Sequence, residues 1–166
     1  MLSRRLSASG FDTAGWDDLA DFEVPILHPG RTLIEKLLRI NNFTSSPAAR
    51  AGQHGWPRIG RQFYDVWALL GTDEVTDFLA DRLLASDILG SCFAVSRSFT
   101  PDRPVPRGGF ARAAAFDPDG PLADRLRTEH DSAMRDLYYG TDAPPSFNDV
   151  ISRVQQHRGA LDIRRN

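Results

Sequence analysis

The sequence predicts a mainly α (α+β) domain that has one short strand near its N-terminus. Apolar residues recur at spacings of three and four over most of the chain, which is the pattern of amphipathic helices. Proline- and glycine-containing stretches separate these periodic segments. Only residues 23–28 (EVPILH) read as a strand, and Pro25 restricts that strand to an edge or terminal position because proline donates no ladder hydrogen bond.

The helices are predicted from their apolar stripes and from their start and stop residues. Pro29 suits the first turn of a helix, Gly71 and Gly140 suit helix ends, and Ser146 suits an N-cap. The predicted segments are 29–42, 58–70, 74–86, 87–98 (with a strand as the alternative), 119–139 and 147–158. Residues 43–57 and 100–110 are rich in small residues and proline, which indicates loops.

Size and composition set limits on the kind of protein. The chain has 166 residues, 41% of them hydrophobic and 25% charged, which is typical of one globular domain with a core. Its net charge of -2 gives no global attraction to nucleic acid, so any RNA contact requires a local arginine patch. The N-terminus has no secretory h-region and no apolar run could cross a bilayer, so we expect a cytoplasmic protein without membrane contact.

Cysteine and histidine usage argues against a metal site made by this chain alone. Cys92 is the single cysteine, which excludes an intramolecular disulfide and a zinc site built on cysteines. No two of the four histidines have the i, i+4 spacing of a helical zinc site. The sequence also has no G-x-S-x-G esterase motif and no G-x-G-x-x-G or Walker A phosphate loop.

Lys36 is the one lysine of a chain that has 20 basic residues. An ammonium is a compact charge with three rotatable donors, which arginine does not reproduce, and phosphate sites often use it. It lies at the border of the apolar stripe of its predicted helix, so its stem can be buried while its ammonium reaches a cleft. The alternative is chance survival in a sequence whose codon composition favours arginine.

Three blocks of sequence strengthen the functional interpretation of Lys36. Residues 29–37 read PGRTLIEKL, residues 58–66 read RIGRQFYDV, and residues 134–140 read MRDLYYG with PSF following at 145–147. In this order, over about residues 23–166, they resemble the P-x-R-T-L-x-E-K-L, R-x-x-R-x-Y-Y-D-L and M-R-x-M-x-x-G-x-x-P-S-F segments of the AbiEii/AbiGii-type nucleotidyltransferase toxins. That family belongs to type IV toxin–antitoxin and abortive-infection (phage-defence) systems. Coincidence in an unrelated helical domain is the remaining alternative.

The resemblance implies the helical C-terminal half of a polymerase-beta-type nucleotidyltransferase. Such an enzyme transfers nucleotides from a nucleoside triphosphate to an acceptor such as RNA with the help of Mg2+. Lys36 matches the family's lysine and would offset charge on the triphosphate. Asp65 matches the family's late aspartate and would orient Lys36 or accept a proton. Arg61, Arg58 and Arg31 are candidate substrate-binding residues.

Ordinary ion pairs are the alternative explanation for several of these residues. Arg31 and Glu35 have the spacing of a stabilising i, i+4 pair. Asp65 can likewise pair with Arg61 on an exposed helix surface. A functional role for Lys36 and Asp65 requires that their side chains meet at one cleft, and this is the geometric prediction that the structure tests.

The sequence departs from the family at the N-terminus. The family opens with Gly-Gly-Ser or Gly-Gly-Thr followed by an alternating aspartate pair that binds Mg2+. No such combination is present, and Asp17 and Asp18 are adjacent rather than alternating. We therefore expect residues 1–22 to be a ragged or truncated start and residues 23–166 to be one mostly helical domain matching the family's C-terminal part. This chain alone would then be inactive and would hold no metal.

This interpretation also predicts the partners of the chain. A nucleotidyltransferase needs a nucleoside triphosphate and an RNA acceptor, a cognate antitoxin is expected for the family, and an N-terminal half encoded upstream would restore the metal ligands. The alternative function is a non-catalytic helical interaction module or relic that binds a toxin, an antitoxin or RNA. Such a module would expose an apolar patch.

Overall fold

A computed structural model of the protein describes residues 9–10, 26–46, 56–98 and 103–164, except for the side chain of Pro57. Six α-helices lie within these ranges: α1 (Pro29–Thr44), α2 (Trp56–Leu69), α3 (Asp73–Ala80), α4 (Arg82–Ser96), α5 (Ala123–Leu137) and α6 (Phe147–Gln156). Two 3-10 turns, Phe110–Arg112 and Ala114–Phe116, connect α4 to α5. The mainly helical class is therefore confirmed for the described part of the chain.

The predicted N-terminal strand is not confirmed. Residues 26–28 have no strand pairing, and no strand occurs anywhere in the described ranges. Residues 23–25, and all of the predicted ragged start 1–22 except 9–10, lie outside them. His28 does have an extended backbone, with φ -60° and ψ 135°, but it uses this conformation to cap α1, where its Nδ1 accepts a hydrogen bond from the Gly30 amide at 3.0 Å.

Helix α2 lies at the centre of the domain and packs against α1, α5 and α6. Its predicted apolar face is buried except for Trp67, which is half-buried. Phe63 on that face contacts the rings of Phe116 and Phe147 at centroid distances of 5.7 and 5.2 Å. The predicted stripe of α1, which includes Leu33 and Leu37, is fully buried as well. Burial of these two stripes fixes which edges of α1 and α2 remain available to solvent.

The boundary between α3 and α4 differs from the prediction. The two helices were expected to meet near residue 86, but the break is at Asp81, whose ψ of 90° is not helical. The Asp81 carboxylate accepts a hydrogen bond from the Leu84 amide at 3.0 Å and so caps α4. Ser86 lies inside α4, and its hydroxyl donates to the Arg164 carbonyl at 2.8 Å. The helical alternative for residues 87–98 is confirmed as far as Ser96.

The N-terminus of α6 follows the sequence prediction. Ser146 caps it, since its hydroxyl accepts from the Asp149 amide at 3.2 Å while the Asp149 carboxylate accepts from the Ser146 amide at 2.8 Å. These two reciprocal bonds form a capping box. The hydrogen bonds from the Ser146 side chain and backbone lower the pKa of Asp149 below its ordinary value.

The Asp149 capping box predicts a pH-dependent contribution to stability. Because the pKa of Asp149 is lowered in the folded state, its contribution is present above the ordinary aspartate pKa and is lost as pH falls below about 4. We expect Asp149→Asn to unfold at a lower urea concentration than wild type at pH 7, with the difference between the two shrinking as pH falls below about 4. A difference that stays constant over this range would contradict an ionised cap.

Candidate functional site

Lys36 of α1 and Asp65 of α2 meet across the groove between their helices. The Lys36 Nζ lies 2.7 Å from the Asp65 Oδ2. The two side chains are 28% and 34% exposed, so the pair is partly shielded but open to solvent on one side. The predicted approach of the two side chains is therefore confirmed, and the cleft expected at this contact stays a prediction. The same contact by itself is also compatible with a modest structural ion pair.

Arg61 lies one helical turn before Asp65 but does not pair with it. Its guanidinium is exposed and forms no ion pair or hydrogen bond among the described residues, so the predicted alternative, an Asp65–Arg61 pair, is not formed. Arg58 is also exposed, and its carbonyl accepts a hydrogen bond from Gln62 Nε2 at 3.3 Å. Arg61 thus presents a positive charge next to the Lys36–Asp65 pair.

Arg31 forms the i, i+4 ion pair with Glu35 that the alternative, structural explanation predicts. Its Nε lies 3.0 Å from Glu35 Oε1, and its Nη1 donates to the Ser91 hydroxyl of α4 at 3.2 Å. Five residues separate Arg31 from Lys36, which places the two about 140° apart around α1. Arg31 therefore ties α1 to α4, and a substrate-binding role for it stays a prediction.

Comparison with protein families identifies the relatives of this chain. The family model described as "Nucleotidyl transferase AbiEii toxin, Type IV TA system" matches residues 7–153, which is most of the sequence. The chain belongs to the AbiEii toxin family. No curated protein and no solved structure gives a significant match to it.

No cluster of three or more histidine, cysteine, aspartate or glutamate side chains that could hold a metal ion occurs in the described part of this AbiEii-family chain. An alternating pair, Asp117 and Asp119, does exist, but it lies in a turn where Asp117 Oδ1 accepts a hydrogen bond from the Asp119 amide at 3.1 Å. Asp65 is a single carboxylate that already contacts an ammonium.

An aromatic group next to Asp65 was not predicted as part of the site. The Tyr64 ring contacts Trp67 at a centroid distance of 6.1 Å and Tyr138, at the end of α5, at 5.8 Å. Tyr64 is half-buried, so part of the residue faces solvent. The sequence feature that could have identified Tyr64 is its position directly before Asp65 in the second AbiEii-like block.

Two other chemically versatile residues of this AbiEii relative are structural. His130 is fully buried, and its ring nitrogens face the carbonyl oxygens of Gly60 and Pro145 at 3.4 and 2.9 Å. Cys92 is buried in α4, and burial raises the pKa of its thiol, which disfavours a nucleophilic thiolate. No helix in the described ranges is long and apolar enough to span a membrane.

Proposed function

We propose that this chain forms the Lys36–Asp65 part of a polymerase-beta-type nucleotidyltransferase site, which transfers nucleotides from a nucleoside triphosphate to an acceptor such as RNA. The observation that carries the proposal is the 2.7 Å contact between the only lysine and an aspartate on another helix, at a position open to solvent. Membership of the AbiEii nucleotidyl transferase family supports it.

Each residue has a role that follows from its surroundings. The Lys36 ammonium has three donors, of which one faces Asp65, so two remain for phosphate oxygens. Asp65 orients the ammonium in the free protein, and it can accept the proton of an acceptor hydroxyl once a triphosphate draws Lys36 away. Arg61, which forms no ion pair with another described residue, gives a second cationic contact for phosphate, and Arg58 lies one turn before it on α2.

Magnesium ligands have to come from outside the described residues in this proposal. The printed sequence has no Gly-Gly-Ser/Thr followed by an alternating aspartate pair, and the described ranges contain no suitable carboxylate group. We therefore propose that this polypeptide binds a triphosphate but does not transfer nucleotides until a segment carrying those carboxylates joins it. A cognate antitoxin is a further proposed partner, since the family belongs to type IV toxin–antitoxin systems.

Two measurements on the wild-type chain test this function. Calorimetric titration with inorganic tripolyphosphate and with nucleoside triphosphates is expected to show saturable binding. Transfer from an α-labelled nucleoside triphosphate to RNA, with Mg2+, is expected only when a polypeptide carrying the Gly-Gly-Ser/Thr and aspartate motif of an intact family member is added. Absence of binding to either ligand would contradict the function, and transfer by the chain alone would contradict the need for a partner.

A second function, a non-catalytic docking module, is favoured by the surface of α4. This helix has only two charged residues among 15, yet it lies at the domain surface. Leu83 is 71% exposed, Val95 53% and Leu84 44%. A helix that is apolar all round is normally covered, so a protein partner such as a toxin or an antitoxin would bury this face. A monodisperse monomer that binds no hydrophobic dye would count against this function.

A further inference from the structure

The exposed surface of α2 combines cationic, aromatic and anionic side chains in a small area. Arg61 is at its centre, three residues before Tyr64 and four before Asp65, so all three lie within one helical turn. Asp65 is on the side that faces α1, where it meets Lys36. Tyr64 is on the side that faces α5, where it meets Tyr138. The surface therefore runs from a charged end to an aromatic end.

Two other aromatic rings, those of Tyr138 and Trp67, pack against the Tyr64 ring. Tyr138 packs against it in a T-shaped arrangement with an interplanar angle of 75°, and Trp67 lies at 30° to it. Trp67 is itself fixed by Arg153 of α6, whose guanidinium lies 4.0 Å from the indole centroid and donates to the Trp67 carbonyl at 2.8 Å. A supported, half-exposed ring loses little conformational freedom when a flat ligand stacks on it.

We propose that Tyr64 is the stacking surface for the base of the nucleoside triphosphate, whose phosphates contact Arg61 and Lys36. This proposal rests on the nucleotidyltransferase function and names a nucleoside subsite within it. A nucleotide has an aromatic ring at one end and phosphates at the other. Tyr64 and Arg61 on α2, followed by Lys36 on α1, offer a ring and two cations in that order. Stacking on an aromatic side chain tolerates any base, so the subsite predicts little base preference.

The remaining exposure of Tyr64 leaves part of its side chain accessible to a ligand. Phe63 and Phe147 in the core are fully buried, whereas Tyr64 is half-buried. Its hydroxyl forms no hydrogen bond among the described residues. Tyr64 therefore combines partial exposure with a position directly before Asp65 on α2.

Comparison of two ligands tests the subsite. In wild type, a nucleoside triphosphate is expected to bind about 5- to 150-fold more tightly than inorganic tripolyphosphate. This ratio corresponds to the binding free energy of stacking one base on an aromatic side chain. Tyr64→Leu should remove that difference by weakening only the nucleotide, while Tyr64→Phe should keep it. Tyr139→Leu is the matched control, because Tyr139 is 91% exposed and contacts no other described ring. Circular dichroism and thermal unfolding establish that each variant is folded.

Several outcomes would overturn the subsite, and they differ from failure of the proposed function. If wild type binds the two ligands with equal affinity, the base contact is excluded without the need for any variant. Triphosphate binding by Lys36 would be unaffected by that result. Equal weakening of both ligands by Tyr64→Leu means that Tyr64 acts only in packing. If Tyr64→Leu weakens the binding of a short single-stranded RNA but not the binding of the nucleotide, the ring contacts the RNA acceptor instead. Failure of wild type to bind either ligand removes the subsite and the proposed function together.

Discussion

Replacing Lys36 with alanine is expected to weaken triphosphate binding by about 10- to 140-fold, which is the worth of a charge-assisted hydrogen bond of about 1.5–3 kcal/mol. The loss should affect tripolyphosphate and nucleoside triphosphates alike, because the ammonium contacts only phosphate. Lys36→Arg should recover part of this affinity, since it restores the charge but not the compact geometry. Calorimetric titration of the three proteins measures all of these effects.

Asp65→Asn is the variant that separates a functional pair from a structural one. It removes the counter-charge that lies 2.7 Å from the ammonium and keeps the shape of the side chain. If Lys36 serves phosphate, triphosphate affinity should stay equal to wild type or rise, in contrast to Lys36→Ala. If the two residues only join α1 to α2, neither variant should change triphosphate affinity, and that result would contradict the proposed role.

Both variants are expected to fold, because the pair is partly exposed and contributes little to stability. Exposed or half-exposed ion pairs are worth about 0–1 kcal/mol, so urea unfolding should change by no more than that for Lys36→Ala or Asp65→Asn. Arg31→Ala tests the predicted substrate-binding role of Arg31, whose contacts with Glu35 and Ser91 lie on another side of α1. Weaker triphosphate binding would support that role, and unchanged binding would leave Arg31 with its structural contacts alone.

The site geometry was predictable because it depends on two strongly periodic helices. The apolar stripes of α1 and α2 determine which face of each helix is buried, and they leave Lys36 and Asp65 on neighbouring edges of the groove. The order of the sequence blocks then indicated that these two residues belong together. The start signals Pro29 and Ser146 also placed the starts of α1 and α6 correctly.

Features that depend on tertiary contacts were missed. The helix break at Asp81 is a local feature that was also missed: aspartate is a favoured N-cap and its carboxylate caps the Leu84 amide, but the apolar spacing continues across it. Phe110 and Phe116 lie in short 3-10 turns without periodicity, yet both are fully buried. Tyr64 could not be linked to Tyr138 from the sequence, because 74 residues separate the two rings in the chain.

Gly60 links the packing of the domain to its candidate site. It lies on α2 directly before Arg61, at the point where α2 crosses α5. A Cβ atom at this position would overlap the carbonyl oxygen of Glu129, so only glycine allows the two backbones to lie so close. His130 contacts the Gly60 carbonyl at the same crossing. Any side chain at residue 60 must push α2 away from α5, and the surface around Arg61 moves with it.

We therefore expect Gly60→Ala to lower the free energy of unfolding by about 1–3 kcal/mol, the usual cost of overpacking, although alanine is the better helix former. Gly90→Ala in α4 is the matched control, because a Cβ there meets no atom within 4 Å. It should raise the free energy of unfolding by roughly 0.5–1 kcal/mol through helix propensity alone. Urea unfolding of both variants tests the crossing, and two alanines that stabilise equally would show that α2 and α5 are not in close contact at Gly60.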